Sequence, residues 1–475
     1  MRWFKKMFKN RLEIVPIGGS NVSILSDANF EKEVFCNKIW HRGNAAELAQ
    51  FYGTNDDMVG NKSFWAAGNT SKSIRKLHSG LPGLVVDVLA DIAVTDLLGV
   101  KLSTNEAQAV WDKIAADNNF NRLLGRAVRK ALSLGDGAFK ISFDTEVSLL
   151  PIIEFFGADR VSYAYKRGRV AEVIFKQIIT QGREKYALEE VYSKDGIDYH
   201  LYNEKGKEAD LAAAKNLHNL QAVRHNLGKS LAVPLIFGES VMFEGRGKSV
   251  FEGKLGAFDA LDEVLSQWVD ALRDGRAQKY IPIGLLPRNP YNGTVAAMGT
   301  FENRFVQTEM DMAEGADNSI KLVQPTIDTT ALLAGCTNYL NFALQGIISP
   351  STLGIDLKTR DNAEAQREKE KTTLYTRSKI ITVLRDVIAQ LAVAAVGAYN
   401  AFYNEPSFDD VTATVEFGEY AAPNFESQIE AIGKGRQMGI ISVETAVEQL
   451  YGATWSKEAK EEEVKRLRLM EENYE

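Results

Sequence analysis

Two hydrophobic periods divide the chain. Residues 84–98 (LVVDVLADIAVTDLL), 104–117 and 121–134 carry apolar positions at helical spacing, with Pro82 near the first turn and Gly135 closing the third helix. The period then falls to two. Residues 137–143, 146–155, 161–165, 170–180 and 186–192 alternate as strands, and the turns 166–169 (KRGR) and 194–196 (KDG) join them into an antiparallel meander. Helices followed by strands make an α+β region. A further strand is expected at 234–243. Residues 254–273 form a helix with Leu255, Phe258, Leu261, Leu265, Trp268 and Leu272 along one face. Beyond it come a strand-like segment at 279–287, a helix at 302–312 and a returning strand at 319–325.

The stretch 336–403 organises the rest. A short helix (CTNYLNFALQGI) is followed by a break at SPSTLG, where Pro350 cannot donate a backbone hydrogen bond and Gly354 tolerates unusual dihedrals. From Asp361 to Tyr403 there is no proline and Gly397 is the only glycine, so a single helix of roughly 60 Å is expected. It starts EAQREKEK, charged on nearly every face, and ends VIAQLAVAAVGAYNAF, apolar on nearly every face. Such an element runs from an aqueous place into a packed core. Its apolar run falls short of the roughly 20 residues a membrane span needs. A strand at 411–417 and a helical tail from 424, with Ser442 as an N-cap, complete the chain. Residues 12–80 show no clear pattern.

Composition narrows the function. At 475 residues the chain is expected to form two or more domains or one extended protomer. A net charge of −7 argues against a dedicated sequence-reading DNA binder, though not against a surface that lets DNA pass. Two distant cysteines, Cys36 and Cys336, point to a reducing compartment without disulfides. The basic, aromatic start MRWFKKMFKNR lacks the apolar segment of a signal peptide and reads as a solvated tail.

Chemistry is hard to find. The run EGRGKS resembles a phosphate-binding loop, but the glycine needed five positions before the Gly-Lys pair is Met242. The five histidines (His41, His78, His200, His218 and His225) form no His-x-x-x-His pair, and no Cys-x-x-Cys exists. The adjacent acids Asp56–Asp57 and Asp409–Asp410 read as solvated loops, and no Gly-x-Ser-x-Gly elbow is present. No catalytic residue, metal site or cofactor is expected.

An ordered set of features resembles the portal (head–tail connector) proteins of tailed bacteriophages, of the type found in phages of Gram-positive bacteria. These are LSLGDGAFKISFD (132–144) opening the strands, GRGKSVFEGKLGAFDALDEVLSQWVDALR (245–273), a small insertion, the helix ending in SPSTLG, the charged-to-apolar helix, and GIISVETAVEQLYG (439–452) before a Glu/Lys-rich end. The resemblance covers residues 80–475. It implies the α+β portal fold with wing, stem, clip and crown, and a long kinked helix crossing from wing to crown. The N-terminal segment 1–80 stands outside it. The implied parts are the wing (81–253), stem helices at 254–276 and 336–348, the clip (277–335), a tunnel loop (349–362), the long helix with its returning strand (363–423) and the crown (424–475).

By the same resemblance, the protein is a virion component at the capsid portal vertex, assembled in the host bacterial cytoplasm. It is expected to form a homo-oligomeric ring, commonly a dodecamer, through which double-stranded DNA is packaged and ejected. Its partners are non-specific DNA, the major capsid protein, the terminase large subunit, the head–tail adaptor and a scaffold protein, with no membrane. The tunnel loop would face DNA with Ser349, Ser351, Thr352, Lys358 and Arg360. Arg273, Arg276 and Lys279 would line the channel at stem and clip. The apolar face Leu255–Leu272 would pack the stem. Few cations in such a loop suit a conduit, because each neutralised phosphate adds affinity through counterion release. Two other readings are a soluble enzyme whose site the sequence hides and a membrane-attached scaffold using the basic N-terminus.

Overall fold

The longest helix gathers the main core, with strands and helices from both sides of the sequence closing on its second half. The computed structural model describes residues 15–16, 23–24, 30–54, 63–66, 74–214, 217, 220–225, 227–282, 285, 291, 305–309, 319–355, 363–403, 405, 411–418, 425–438, 440–451 and 455–472. These fall into two compact units, Met1–Phe417 and Gly418–Glu475.

The first unit opens with a minimal hairpin, β1 (Val15–Pro16) and β2 (Ser23–Ile24), and helices α1 (Phe30–Arg42) and α2 (Ala45–Thr54). Next come α3 (Leu81–Val94), β3 (Leu97–Leu102), α4 (Asn105–Asp117) and α5 (Phe120–Leu134). Thr104 caps α4 by accepting from the Ala107 amide at 3.3 Å.

Strands β4 (Asp136–Asp144) and β5 (Ser148–Gly157) pair antiparallel, and β12 (Ala232–Ile236) later joins the other edge of β4. The meander is β6 (Val161–Lys166), β7 (Arg169–Gln181), β8 (Glu184–Tyr192) and β9 (Gly196–Asn203), extended by β10 (Glu208–Ala209) and β11 (Val223–Arg224), both on β9. Its first turn places Arg167 at φ 53° and Gly168 at φ 75°, the left-handed pair that matches strand twist in a two-residue hairpin.

Helix α6 (Leu255–Asp274) leads out to a three-stranded sheet of β13 (Gln278–Pro282), β14 (Phe305–Thr308) and β15 (Lys321–Val323). Helix α7 (Thr329–Leu344) leads back, and α8 (Ala363–Tyr403) follows. Strand β16 (Ala413–Phe417) then pairs antiparallel with β3. Along α8, Ile380, Leu384, Ile388, Leu391 and Ala395 are buried, so the apolar end expected from the sequence is core. By length and hydropathy α8 could cross a membrane, yet this stripe is packed inside the protein. The second unit contains α9 (Phe425–Gln437), α10 (Val443–Tyr451) and α11 (Lys457–Glu472). Ser442 caps α10 as expected, accepting from the Thr445 amide at 3.2 Å.

Several expected boundaries move. The helix expected at 84–98 ends at Val94, because Leu97–Leu102 is claimed by β16, a strand more than 300 positions later. The helix expected at 302–312 is strand where it is described, since Phe305–Thr308 lies parallel to β13. The expected strand 234–243 shortens to Ala232–Ile236. The helix expected from Cys336 begins at Thr329, where Asp328 accepts from the Ala331 amide at 2.9 Å and supplies an N-cap.

The two glycine-bearing runs quoted above meet in space. Gly135 ends α5 at φ 107°, and a Cβ on Gly247 would stand 2.2 Å from the Gly135 carbonyl oxygen. Beside this contact the fully buried Asp136 accepts from Arg246 Nη2 at 2.9 Å and from the Gly247 amide at 2.8 Å. Arg246 also donates to the Val161 and Ala158 carbonyls, and its guanidinium stands 4.0 Å from the Phe30 ring centroid. Burial raises the Asp136 carboxyl above its ordinary value, while Arg246 and the Gly247 amide pull it back. So EGRGKS is a structural seam, with its arginine committed to protein groups.

Gly247→Ala is expected to cost roughly 2–3 kcal/mol of stability, because the added methyl meets backbone that cannot step aside. Gly256→Ala, whose Cβ meets nothing within 4 Å, is expected to be neutral or stabilising by about 0.5 kcal/mol. Thermal unfolding of the two variants beside the parent checks both.

Candidate functional site at the helical hairpin and junction

Helices α6 and α7 form an antiparallel hairpin. Lys254 Nζ donates to the Phe342 carbonyl at 3.2 Å, Gly335 lies opposite Val264, and Gly275 lies opposite Ile327. A Cβ on Gly275 would come within 2.1 Å of the Ile327 side chain, so the glycine permits close approach at the far end.

The apolar face of α6 changes along its length. Phe258 and Leu261 are 0% and 4% exposed, while Leu255, Leu265 and Trp268 are half-buried and Leu272 is 50% exposed. The root of the face is therefore covered by the same chain, and its exposure grows toward the outer end. On α7, Ala343 and Leu344 are buried but Leu333, Tyr339 and Phe342 are exposed.

Two acids on α6 hold that root. Asp259 accepts from Ser63 Oγ at 2.7 Å and the Phe64 amide at 2.8 Å. Asp262, fully buried, accepts from Trp65 Nε1 at 3.2 Å and the Ser79 amide at 2.8 Å, and its Oδ2 lies 2.6 Å from His78 Nδ1. The Ser266 hydroxyl, one turn on, accepts from the Leu77 amide at 2.9 Å. Sequence reasoning missed this clamp. Its signal was present, since Asp262 sits between Phe258 and Leu265 on an otherwise apolar stripe.

At the outer end, Arg273 lies in the last turn of α6, where the helix dipole favours a cation. Arg276 and Lys279 follow and are exposed. On β13, Lys279 is paired with Leu322, and the exposed Lys321 of β15 is the next pair along, opposite Tyr280. The three predicted cations thus share the outer end of the hairpin and the edge of its small sheet.

The junction between α7 and α8 is a compact plug. Pro350–Leu353 is a 3-10 turn between Gly346 at φ 78° and Gly354 at φ 70°. It is strapped to α8 by threonine hydroxyls. The Ser349 amide donates to Thr373 Oγ1 at 2.9 Å, the Thr352 and Thr373 hydroxyls are 2.8 Å apart, and Thr376 Oγ1 donates to the Ile347 carbonyl at 2.7 Å. One turn further, Arg377 donates to the Ile92 carbonyl and pairs with Asp96. Ser349 is 4% exposed, and Ser351 and Thr352 are half-buried against the same helix. Lys358 and Arg360 lie outside the described residues, as do Asp56, Asp57, Asp409, Asp410 and His218.

None of this geometry assembles a reactive centre. Among the described residues no group of three or more His, Cys, Asp or Glu side chains could hold a metal ion. Burial, with Glu33 adding to it, pushes the Cys36 thiol up to about 12, so it remains protonated and unreactive at neutral pH.

Among solved structures the chain is similar to one from the virion of a native gene transfer agent particle, at 12% identity over 81% of this chain and 89% of that chain, with a TM-score of 0.39. It is also similar to a chain from the neck of the native particle computed with C12 symmetry (14% identity, 80% and 94% coverage, TM-score 0.40). A chain from the neck of the empty particle computed with C6 symmetry matches at 12% identity, 82% and 95% coverage and a TM-score of 0.41. No curated protein matches the sequence. The family model described as phage portal protein, SPP1 Gp6-like, matches residues 42–475. With nearly the whole sequence inside that match, the chain belongs to the SPP1 Gp6-like phage portal proteins, a family of structural, non-enzymatic proteins.

Proposed function

We propose that this chain is one subunit of a dodecameric ring at a capsid vertex, through which double-stranded DNA enters and leaves a phage particle. The family match over residues 42–475 carries the reading. Two features support it. The α6–α7 hairpin leaves Tyr339 and Phe342 exposed nearer its root and Leu272 and Leu333 exposed at its outer end, apolar surface that neighbouring copies would cover. Arg273, Arg276 and Lys279 gather at the same end, and ring symmetry would multiply them into a belt of positive charge facing the channel.

In this reading the DNA-facing segment starts beyond Gly354 and includes Lys358 and Arg360, while the plug behind it stays fixed to α8. Two cations per copy give weak, sequence-blind contact with phosphate, suited to passage rather than capture. Translocation energy would come from a separate ATPase. The small sheet β13–β15 would meet the terminase large subunit and later the head–tail adaptor. The rest of the ring would contact the major capsid protein and a scaffold protein in a virion assembled in a Gram-positive host's cytoplasm.

Electron microscopy of the purified protein is expected to show rings with a central channel; a compact monomer at high concentration overturns the reading. Lys358→Glu with Arg360→Glu is expected to impair DNA packaging or retention while rings still form, and normal infectivity would remove both residues from any DNA role. Thr373→Val deletes the acceptor of the Ser349 amide and is expected to cost about 1–3 kcal/mol locally. Faster hydrogen exchange at Ser349, absent in Thr373→Ser, checks it.

A further inference from the structure

One loop and one groove sit at opposite ends of α5 and are flanked by opposite charges. The loop is residues 239–244, which holds Val241 at 90% exposure with Met242 beside it at 41%. It is rigid. The Ser240 hydroxyl accepts from the Met242 and Phe243 amides, each at 3.1 Å, and donates to Glu252 Oε2 at 2.7 Å. Glu252 Oε1 accepts from the Val241 amide at 3.2 Å, and Phe243 is buried with its ring edge-on to Phe30. A valine held almost wholly in water by a fully bonded loop gains nothing for its own fold. Pre-organised apolar knobs of this sort are what interfaces use as anchors, because little entropy remains to be lost on docking.

The groove, of about 650 Å³, lies between β3, α4 and the first turn of α5. Leu98 is 71% exposed at its mouth, and Trp111 and Phe120 form its base with rings edge-on at 5.2 Å. Its floor is fixed as well. The Gln108 side chain accepts from the Leu102 amide at 2.7 Å and donates to the Val100 carbonyl at 3.1 Å and to Asp112 at 2.8 Å, engaging the one acid on the wall.

Helix α5 sets their separation. The groove is built on Phe120 and Arg122 in its first turn, whereas the loop is tied to its last turn through Ser249 Oγ on the Ser133 carbonyl and the Gly135–Gly247 contact. Fifteen residues of helix put roughly 20 Å between them. Exposed Glu239 and Glu244 flank the knob, while exposed Arg122 and Arg126 stand at the groove end.

We infer that the Val241–Met242 knob of one copy seats in the Leu98–Trp111–Phe120 groove of the next copy. This placement rests on the ring reading above and names the surfaces that close the ring. A knob and a groove at opposite ends of one rigid element make a head-to-tail contact, which closes into a ring when the rotation per copy divides a full turn.

The test places Val241→Cys and Leu98→Cys in one full-length chain carrying Cys336→Ser, the remaining Cys36 being buried. Within a copy the two sites are too far apart for a disulfide. Oxidation under ring-forming conditions is expected to yield a ladder of covalent oligomers on a denaturing gel, with neither single-cysteine chain going beyond a dimer. Rings visible by electron microscopy without a ladder overturn the docking and leave the ring reading standing. A chain that never forms rings removes both.

Val241→Asp provides a second measure. It is expected to lower the assembled fraction about ten-fold or more at fixed concentration with an unchanged Tm, and Val241→Ile is expected to assemble normally. Unimpaired assembly of Val241→Asp also overturns the docking.

Discussion

The contact between Gly135 and Gly247 is the constraint on which the first unit depends. It brings the end of α5, the start of β4 and the approach to α6 to one point, where no side chain fits between the two backbones. Asp136 is buried beside it with Arg246 largely covered, and such an ion pair is stable only when its remaining hydrogen-bonding capacity is met. Here that condition holds for the carboxylate, which takes bonds from a guanidinium, a backbone amide and, at 3.4 Å, the Tyr163 hydroxyl. The aromatic rings of Phe30 and Tyr163 flank the guanidinium. The pair therefore gives direction to a contact that glycine alone would leave free to slide.

From that seam the order of the other elements follows. With the entry to α6 fixed, Asp259 and Asp262 can reach the segment around residues 63–79, and the root of the hairpin is held independently of its tip. The junction to α8 repeats the arrangement on a smaller scale. Thr373 and Thr376 occupy successive turns of α8 and hold the chain on either side of Pro350, while Arg377 ties the same turn to α3 and Asp96. Polar side chains at the edge of a buried stripe thus fix where each long helix sits. The apolar contacts supply most of the burial but are less directional.

Much of this was legible in the sequence, for a physical reason. Helices α4, α5, α6 and α8 and the strands from β4 to β8 each carry a regular apolar face, so their period shows locally whichever element covers it. Strand β3 was hidden because β16, its partner, lies at the other end of the unit, with Lys101 reaching Glu416 across 315 positions. Strand β14 was hidden because it is only four residues long and pairs in parallel with β13 across an insertion. At the candidate site, the apolar positions of α6 show in the sequence, whereas the roles of Asp262 and Thr373 do not. Both lie in register with apolar core positions, Asp262 with the buried Phe258 and the half-buried Leu265, Thr373 with the buried Ile380 and Leu384. A polar residue in such a stripe must be given partners, and that rule would have identified them.

The sheets also bear on how a chain made to assemble avoids assembling wrongly. A bare strand edge pairs with almost any other strand, so it is an indiscriminate surface. Two edges here are sealed by amide side chains that imitate a neighbouring strand. Gln108 bonds the Leu102 amide and the Val100 carbonyl of β3, and Asn118 bonds the Ile153 amide at 2.7 Å and the Pro151 carbonyl at 2.9 Å of β5. Tyr403 adds a bond to the Leu149 carbonyl. With backbone edges satisfied at these points, side-chain surfaces such as Leu98, Val241 and the outer α6–α7 face carry more of the remaining attraction. Those surfaces discriminate by shape and charge, which backbone pairing cannot do. For a subunit proposed to close a ring, sealing the promiscuous contacts leaves the directional ones to decide what it binds.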